Sequence, residues 1–151
     1  MSLGEPSNIP SSRKNRLPKS RILRGKRNFQ RLFDDSVLLR GQVLNLRYRL
    51  YGEEDERFLV GFIVRKALGK AVDRNRARRR IREAWRLHQH PLLDLDPVVR
   101  KGLHMAWMAR RIDLTTTQAA QDIRQLSERL TDRLHQLHSS TPFPARPGKN
   151  T

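Results

Sequence analysis

Arg74 to Arg82 (RNRARRRIR) holds six arginines and no acid, in a stretch whose apolar residues recur at helical spacing. Ala77, Ile81, Ala84, Trp85 and His88 fall on one narrow stripe of a helical wheel. Asn75, Arg79, Arg82 and Arg86 share another face, with Arg76 and Arg80 beside them. Such a helix can bury one thin edge and must leave the rest outside, which restricts what can pack around it. The pairs Arg74/Arg78, Arg76/Arg80, Arg78/Arg82 and Arg82/Arg86 set like charges at i,i+4. Each costs an isolated helix about 0.2–0.5 kcal/mol. Arg79/Glu83 is the favourable pair at that spacing. A solvated, salt-bridged helix interleaves acids, and this one does not. A polyanion is the missing partner. Arginine, rather than lysine, forks onto phosphate oxygens and stacks on bases.

The rest of the chain agrees. It has 151 residues, with 32 Lys+Arg against 15 Asp+Glu and a formal charge of +17. That length fits one domain with tails, and that charge draws a protein to nucleic acid or anionic surfaces without specifying a fold. No apolar run reaches the length of a membrane span, so no membrane partner is expected. The N-terminus lacks the apolar stretch of a secretory signal, which makes the cytoplasm the expected compartment. Without cysteine there is no disulfide, thiolate metal site or cysteine nucleophile.

Residues 1–15, rich in Ser, Pro and Asn, and residues 139–151, with three prolines, read as disordered tails. Between them residues 16–138 form a single domain. A basic lead-in and short helix run from Leu17 to Ser36, with Ile22, Phe29, Leu32 and Phe33 as apolar positions. Gln42–Leu50 alternates, Leu44, Leu46, Tyr48 and Leu50 against Asn45, Arg47 and Arg49, as a strand with one basic face does. Arg57–Val64 is apolar on both faces, which predicts a central strand hairpinned to the first. Asp73 is placed to cap the arginine helix. Leu103–Ala109 reads as a third strand. A long helix follows from Thr116 to Leu137, with Thr115 or Thr116 as its cap and Ala119, Ile123, Leu126, Leu130, Leu134 and Leu137 as its stripe. The order helix-strand-strand-helix-strand-helix predicts an α+β (or α/β) two-layer sandwich, one small sheet with helices packed on it.

Catalytic groupings are absent from the pattern. Glu53–Glu56 belongs to a turn, and Asp94/Asp96 to a connection beside Pro97. Neither supplies carboxylates converging from rigid elements, as two-metal hydrolysis requires. His88/His90 and His135/His138 are pairs with no third ligand in sight, so no metal site is expected. No nucleophilic triad is supported. Phe29 and Phe33 stand at i,i+4 on a cationic helix and can stack on unpaired bases, with burial in the core as the plain alternative. Tyr48 has the same two readings. Trp85 and Trp107 sit in apolar stripes and read as core.

Arg65-Lys66, Gly69-Lys70 and Arg74-Asn75-Arg76-x-x-Arg79-x-x-Arg82-Glu83 together closely resemble the signature of the bacterial ribonuclease P protein subunit. Leu23-Arg24 with Asn28-Phe29-Gln30-Arg31-Leu32-Phe33 resembles that family's first helix. The resemblance covers roughly residues 16–137; Ala77 and Arg80 depart from it, standing where the family usually has aliphatic residues. It implies a mixed sheet with a left-handed strand–helix–strand crossover, against the usual hand. It also implies a protein that joins a catalytic ribonuclease P RNA to remove the 5′ leader of precursor tRNA. The RNA would carry the chemistry with magnesium bound mainly by itself, and the protein, with no catalytic residue or cofactor of its own, would be monomeric in the complex. By that resemblance Arg65, Lys66, Lys70, Arg74, Asn75, Arg76, Arg79 and Arg82 meet the catalytic RNA. Phe29, Phe33 and Tyr48 meet the leader, with Arg47 and Arg49 on the opposite sheet face from Tyr48.

Two other readings fit the same basic helix. A ribosomal protein or RNA chaperone would bind structured RNA and leave tRNA maturation unchanged. A free-standing nuclease would cut RNA alone in magnesium.

Overall fold

The computed structural model describes residues 17–140. The tails expected at 1–15 and 139–151 lie outside those residues, except that the last helix continues to Ser140. Helix α1 spans Lys26–Asp34, and strands β1 and β2 span Val37–Arg40 and Leu44–Leu50. Strand β3 covers Leu59–Ile63, the arginine helix α2 Ala71–His88, and a single turn α3 His90–Leu93. Strand β4 is Leu103–Ala109 and helix α4 begins at Thr116. The four strands form one mixed sheet in the order β1-β2-β4-β3. β2 runs antiparallel to both β1 and β4, and β3 is parallel to β4.

That order corrects two expectations. The predicted hairpin between Gln42–Leu50 and Arg57–Val64 does not form, because β4 lies between them. The partner of β2 across its turn is β1, a strand in the short stretch between Ser36 and Gln42 that carries no periodic signal. Nor is β3 central. It stands at the sheet edge, apolar on both faces because α1 covers one and α2 the other. Its outer edge is closed at one point by the N-terminal segment: Ile22 bridges Val60, and Leu23 N–H donates to Val60 O at 2.8 Å. A helical crossover through α2 and α3 joins the parallel pair, as such pairs require.

The long helices pack against one sheet face. Ala77, Ile81, Ala84 and Trp85 of α2 are buried there, the stripe read from spacing, while His88 is half-buried. From α4 come Ala119, Ile123, Leu126, Leu130 and Leu134, with Leu137 exposed past the end of the contact. Trp85 and Trp107 meet at 5.9 Å between ring centroids. The other face carries a smaller cluster, Leu23, Leu32, Leu59 and Ala106, roofed by α1.

Helix starts follow local chemistry. α2 begins at Ala71, three residues earlier than a cap at Asp73 would allow. Asp73 sits instead in the first turn, where its charge complements the helix dipole, and pairs with Arg76 at 3.2 Å. Thr115 does cap α4. Its Oγ1 accepts from Gln118 N–H while its own N–H donates to Gln118 Oε1, both at 3.0 Å. That reciprocal pair is a capping box. Asp122, buried in α4, accepts the backbone amides of Val43 and Leu44 at 2.7 and 2.9 Å, and so fastens the β1–β2 turn to the helix.

Candidate nucleic-acid interface

Packing Ala77 and Ile81 against the sheet turns Asn75, Arg76, Arg79 and Arg82 outward, all exposed. Arg65, Lys66 and Lys70 are exposed in the loop that leads into α2. The expected surface for the catalytic RNA is therefore one contiguous face, with Arg74 as its internal brace: Arg74 Nη1 donates to Gly69 O at 2.7 Å and is half-buried. Arg79, Arg82, Arg65, Lys66 and Lys70 form no ion pair among the described residues. Glu83 pairs with Arg86 at 2.7 Å rather than with Arg79, and that contact holds the Glu83 carboxyl below its usual range. Arg80 turns to the far flank and donates to Leu114 O at 2.9 Å, tying α2 to the loop before α4.

The second surface lies between α1 and the sheet. Phe29 rests on β3 at Gly61, where a methyl group would stand only 2.7 Å from its ring. Phe33 is 6.3 Å from Phe29, and the Arg47 guanidinium lies 5.6 Å from the Phe33 ring. Both rings are half-buried, so each serves the small core with one side and faces outward with the other. An open cleft of about 350 Å³ is lined by Lys26, Phe29, Phe33, Phe62, Ile63 and Arg78. Beside it a second cleft of about 360 Å³ adds Lys19, Arg24 and Arg82, with Arg82 5.9 Å from the Phe62 ring. An apolar floor with cationic rims suits stacked bases and the phosphates that join them.

Tyr48 does not belong to this cleft. It points to the α2–α4 face and is 4% exposed, within the main core. Its neighbours Arg47 and Arg49 are the residues of β2 on the α1 side, opposite to Tyr48 as alternation required. The sequence did not say which sheet face α1 would cover, so the tyrosine was assigned to the cleft and Arg47 away from it. Arg78 was missed as well. Its signal was its place on the wheel, next to Ala77 at the margin of the apolar stripe, where a side chain runs along the sheet edge.

A cluster behind α1 orients that helix. Arg31 and Arg49 lie 4.0 and 4.5 Å from the Tyr51 ring, which packs on His104 at 4.5 Å. Asp55 accepts from Arg57 at 2.7 Å and stands 3.4 Å from Arg31 and from His104 Nε2. Hydrogen bonding from Arg57 holds Asp55 far below the usual carboxylate range, while burial pushes His104 down against the pull of Asp55. The described residues contain no convergent group of three His, Asp or Glu that fits a metal ion, and no helix among them is long and apolar enough to cross a membrane.

These elements define a small mixed α+β sandwich with an arginine-faced crossover helix and an aromatic cleft with cationic rims. The ribonuclease P family model matches residues 17–131, and the chain belongs to that family. A ribonuclease P protein component from Symbiobacterium thermophilum is 43% identical over 72 residues, 46% of this chain and 56% of that protein. One from Chlorobaculum tepidum is 36% identical over 95 residues, 58% of this chain and 60% of its own length. The chain thus spans somewhat over half the length of these curated relatives. The fold is that of the Staphylococcus aureus RNase P protein, with a TM-score of 0.55 at 24% identity, covering 71% of this chain and 92% of that one. The Thermotoga maritima protein gives 0.55 at 22%, covering 72% and 96%.

Proposed function

We propose that this chain is the protein subunit of ribonuclease P, supporting endonucleolytic removal of the 5′ leader in tRNA maturation. The observation that carries this is the pair of separate cationic surfaces on a chain of this family. The outward face of α2 with Arg65, Lys66 and Lys70 binds the catalytic RNA. The α1 cleft, with Phe29 and Phe33 as platforms and Lys26, Arg47 and Arg78 at its rim, takes the single-stranded leader of precursor tRNA. Ion-pair-free guanidiniums dock onto phosphates without first breaking an internal bond, which makes Arg65 and Arg79 the strongest contributors. The RNA carries the hydrolytic chemistry, with magnesium held by its own phosphates; the described side chains do not fit a protein-borne metal centre, and no protein group is assigned a proton transfer. The protein acts as a monomer in the cytoplasm.

Two variants separate the surfaces. Replacing both Arg79 and Lys66 by Ala, neither of which lines the clefts beside α1, weakens binding to the catalytic RNA and lowers its salt slope by about one unit per lost phosphate contact. Phe29→Leu leaves that affinity intact and weakens capture of leader-bearing precursor tRNA, by up to the roughly 1–3 kcal/mol of a stacked base. Equal losses on both RNAs from either change would refute the division.

A further inference from the structure

Away from both surfaces, at the start of β3, two arginines converge on one ring. The Arg100 guanidinium lies 5.2 Å from the centroid of Phe58 and that of Arg21 lies 5.9 Å from it. Neither forms an ion pair with an acid among the described residues. Arg100 Nε is shut away from water without a hydrogen-bond partner. Burial, and then the charge of Arg21, weakens the hold of Arg100 on its proton. Two like charges set together and partly stripped of water are unfavourable unless something negative joins them. An open cleft of about 520 Å³ adjoins them, and Lys101 and the apolar Pro97 and Val98 also line it. Val98 is among the most exposed large apolar residues described. Lys101 at the cleft is already paired, with Glu53 at 2.8 Å and with Glu56, the one acid lining the cleft, at 3.6 Å, which leaves the two arginines uncompensated. Arg21, Arg100 and Lys101 less Glu53 and Glu56 leave a net charge of +1.

The cleft is in line with the cationic groove described above. Phe58 and Phe62 stand four residues apart on the same side of the chain, about 13 Å along an extended strand. Each ring has arginine beside it, Arg82 at Phe62 and the Arg21/Arg100 pair at Phe58.

We propose that Arg21 and Arg100 form a phosphate subsite that takes one backbone phosphate of single-stranded RNA, its nucleoside lying against Pro97 and Val98. Guanidinium edges fork onto the phosphate oxygens, and the apolar wall shields the contact from water. That the phosphate arrives on RNA rests on the reading given under Proposed function. The existence of an anion site does not.

The test uses the full chain with its arginine Nε–H groups observed by nuclear magnetic resonance. It is titrated with inorganic phosphate, with the dinucleotide uridylyl-uridine, and with sodium chloride at matched ionic strength. The expected result is a saturable shift of the Arg100 Nε–H with both phosphate compounds and none with chloride. The Val98 methyls should move only with the dinucleotide. Arg21→Gln, a change at a half-buried position on the turn Lys19–Arg21 that leaves Phe58 covered by Arg100, should raise the half-saturating concentration by about tenfold or more. Arg100→Gln should abolish the effect at Arg21. Shifts that are linear, or equal with chloride, would overturn the subsite, and saturation by inorganic phosphate alone would overturn its assignment to RNA. Catalytic RNA takes no part in this experiment, so its outcome is independent of whether the chain supports tRNA processing.

Discussion

Gly61 decides where Phe29 sits, and the consequence of filling it can be worked from geometry. A methyl added there would lie 2.7 and 2.8 Å from two ring atoms of Phe29 and 3.2 Å from Leu23 Cβ. Carbon atoms rest at about 3.5–4.0 Å, so the ring must retreat by roughly 1 Å, and its one free direction is into the cleft. Gly61→Ala should therefore cost about 1–3 kcal/mol, the range for overpacking. In a Phe29→Ala background the ring clash is gone and only the 3.2 Å approach to Leu23 Cβ remains, which a shift of a few tenths of an ångström relieves. There it should be neutral, or gain about 0.4–1 kcal/mol by restricting the unfolded chain. Urea unfolding of the wild type, both single variants and the double variant gives the coupling. The expected interaction energy is about 1–3 kcal/mol in favour of the double variant. Additivity within about 0.5 kcal/mol would refute the placement of Phe29 on β3, and with it the floor of the α1 cleft.

Two further predictions concern what holds the cleft in place. Asp122→Ala leaves the buried amides of Val43 and Leu44 without an acceptor, which should cost about 2–4 kcal/mol in denaturant unfolding; a loss under about 1 kcal/mol would mean the β1–β2 turn is not fastened through Asp122. Burial depresses the imidazole of His104 below the ordinary 6.5, so the unfolded chain takes up a proton that the folded chain refuses, and stability falls as pH drops from about 7 to about 5. His104→Phe should flatten that slope, leaving the part due to His88, which is also lowered by burial and by Arg124; an unchanged slope would contradict the assignment.

What the sequence made legible was periodic. The stripe Ala77–Ile81–Ala84–Trp85 and the alternation of Leu44, Leu46 and Tyr48 against Arg47 and Arg49 each report a face, and both faces are found as read. What it concealed was pairing between distant segments. An apolar run such as Arg57–Val64 looks the same whether its faces are covered because it is central or because helices flank an edge. β1 was too short, at four residues, to show alternation. The same limit governed the site. Alternation established that Tyr48 and Arg47 oppose each other, but the face carrying α1 is a tertiary fact, and it placed Arg47 beside Phe33 and Tyr48 in the core. Arg21 and Arg100 are 79 positions apart, with nothing in either neighbourhood to announce their meeting at Phe58.

The central claim is that this chain enables a catalytic RNA to mature tRNA without chemistry of its own. Its most direct test is single-turnover cleavage of precursor tRNA at low magnesium, with the protein alone, a bacterial ribonuclease P RNA alone, and the two together. The account predicts cleavage at the mature 5′ end only when protein and RNA are combined, and that end must be lost with the Arg79/Lys66 double replacement. Cleavage by the protein alone, or RNA binding with no effect on 5′ processing, would contradict it.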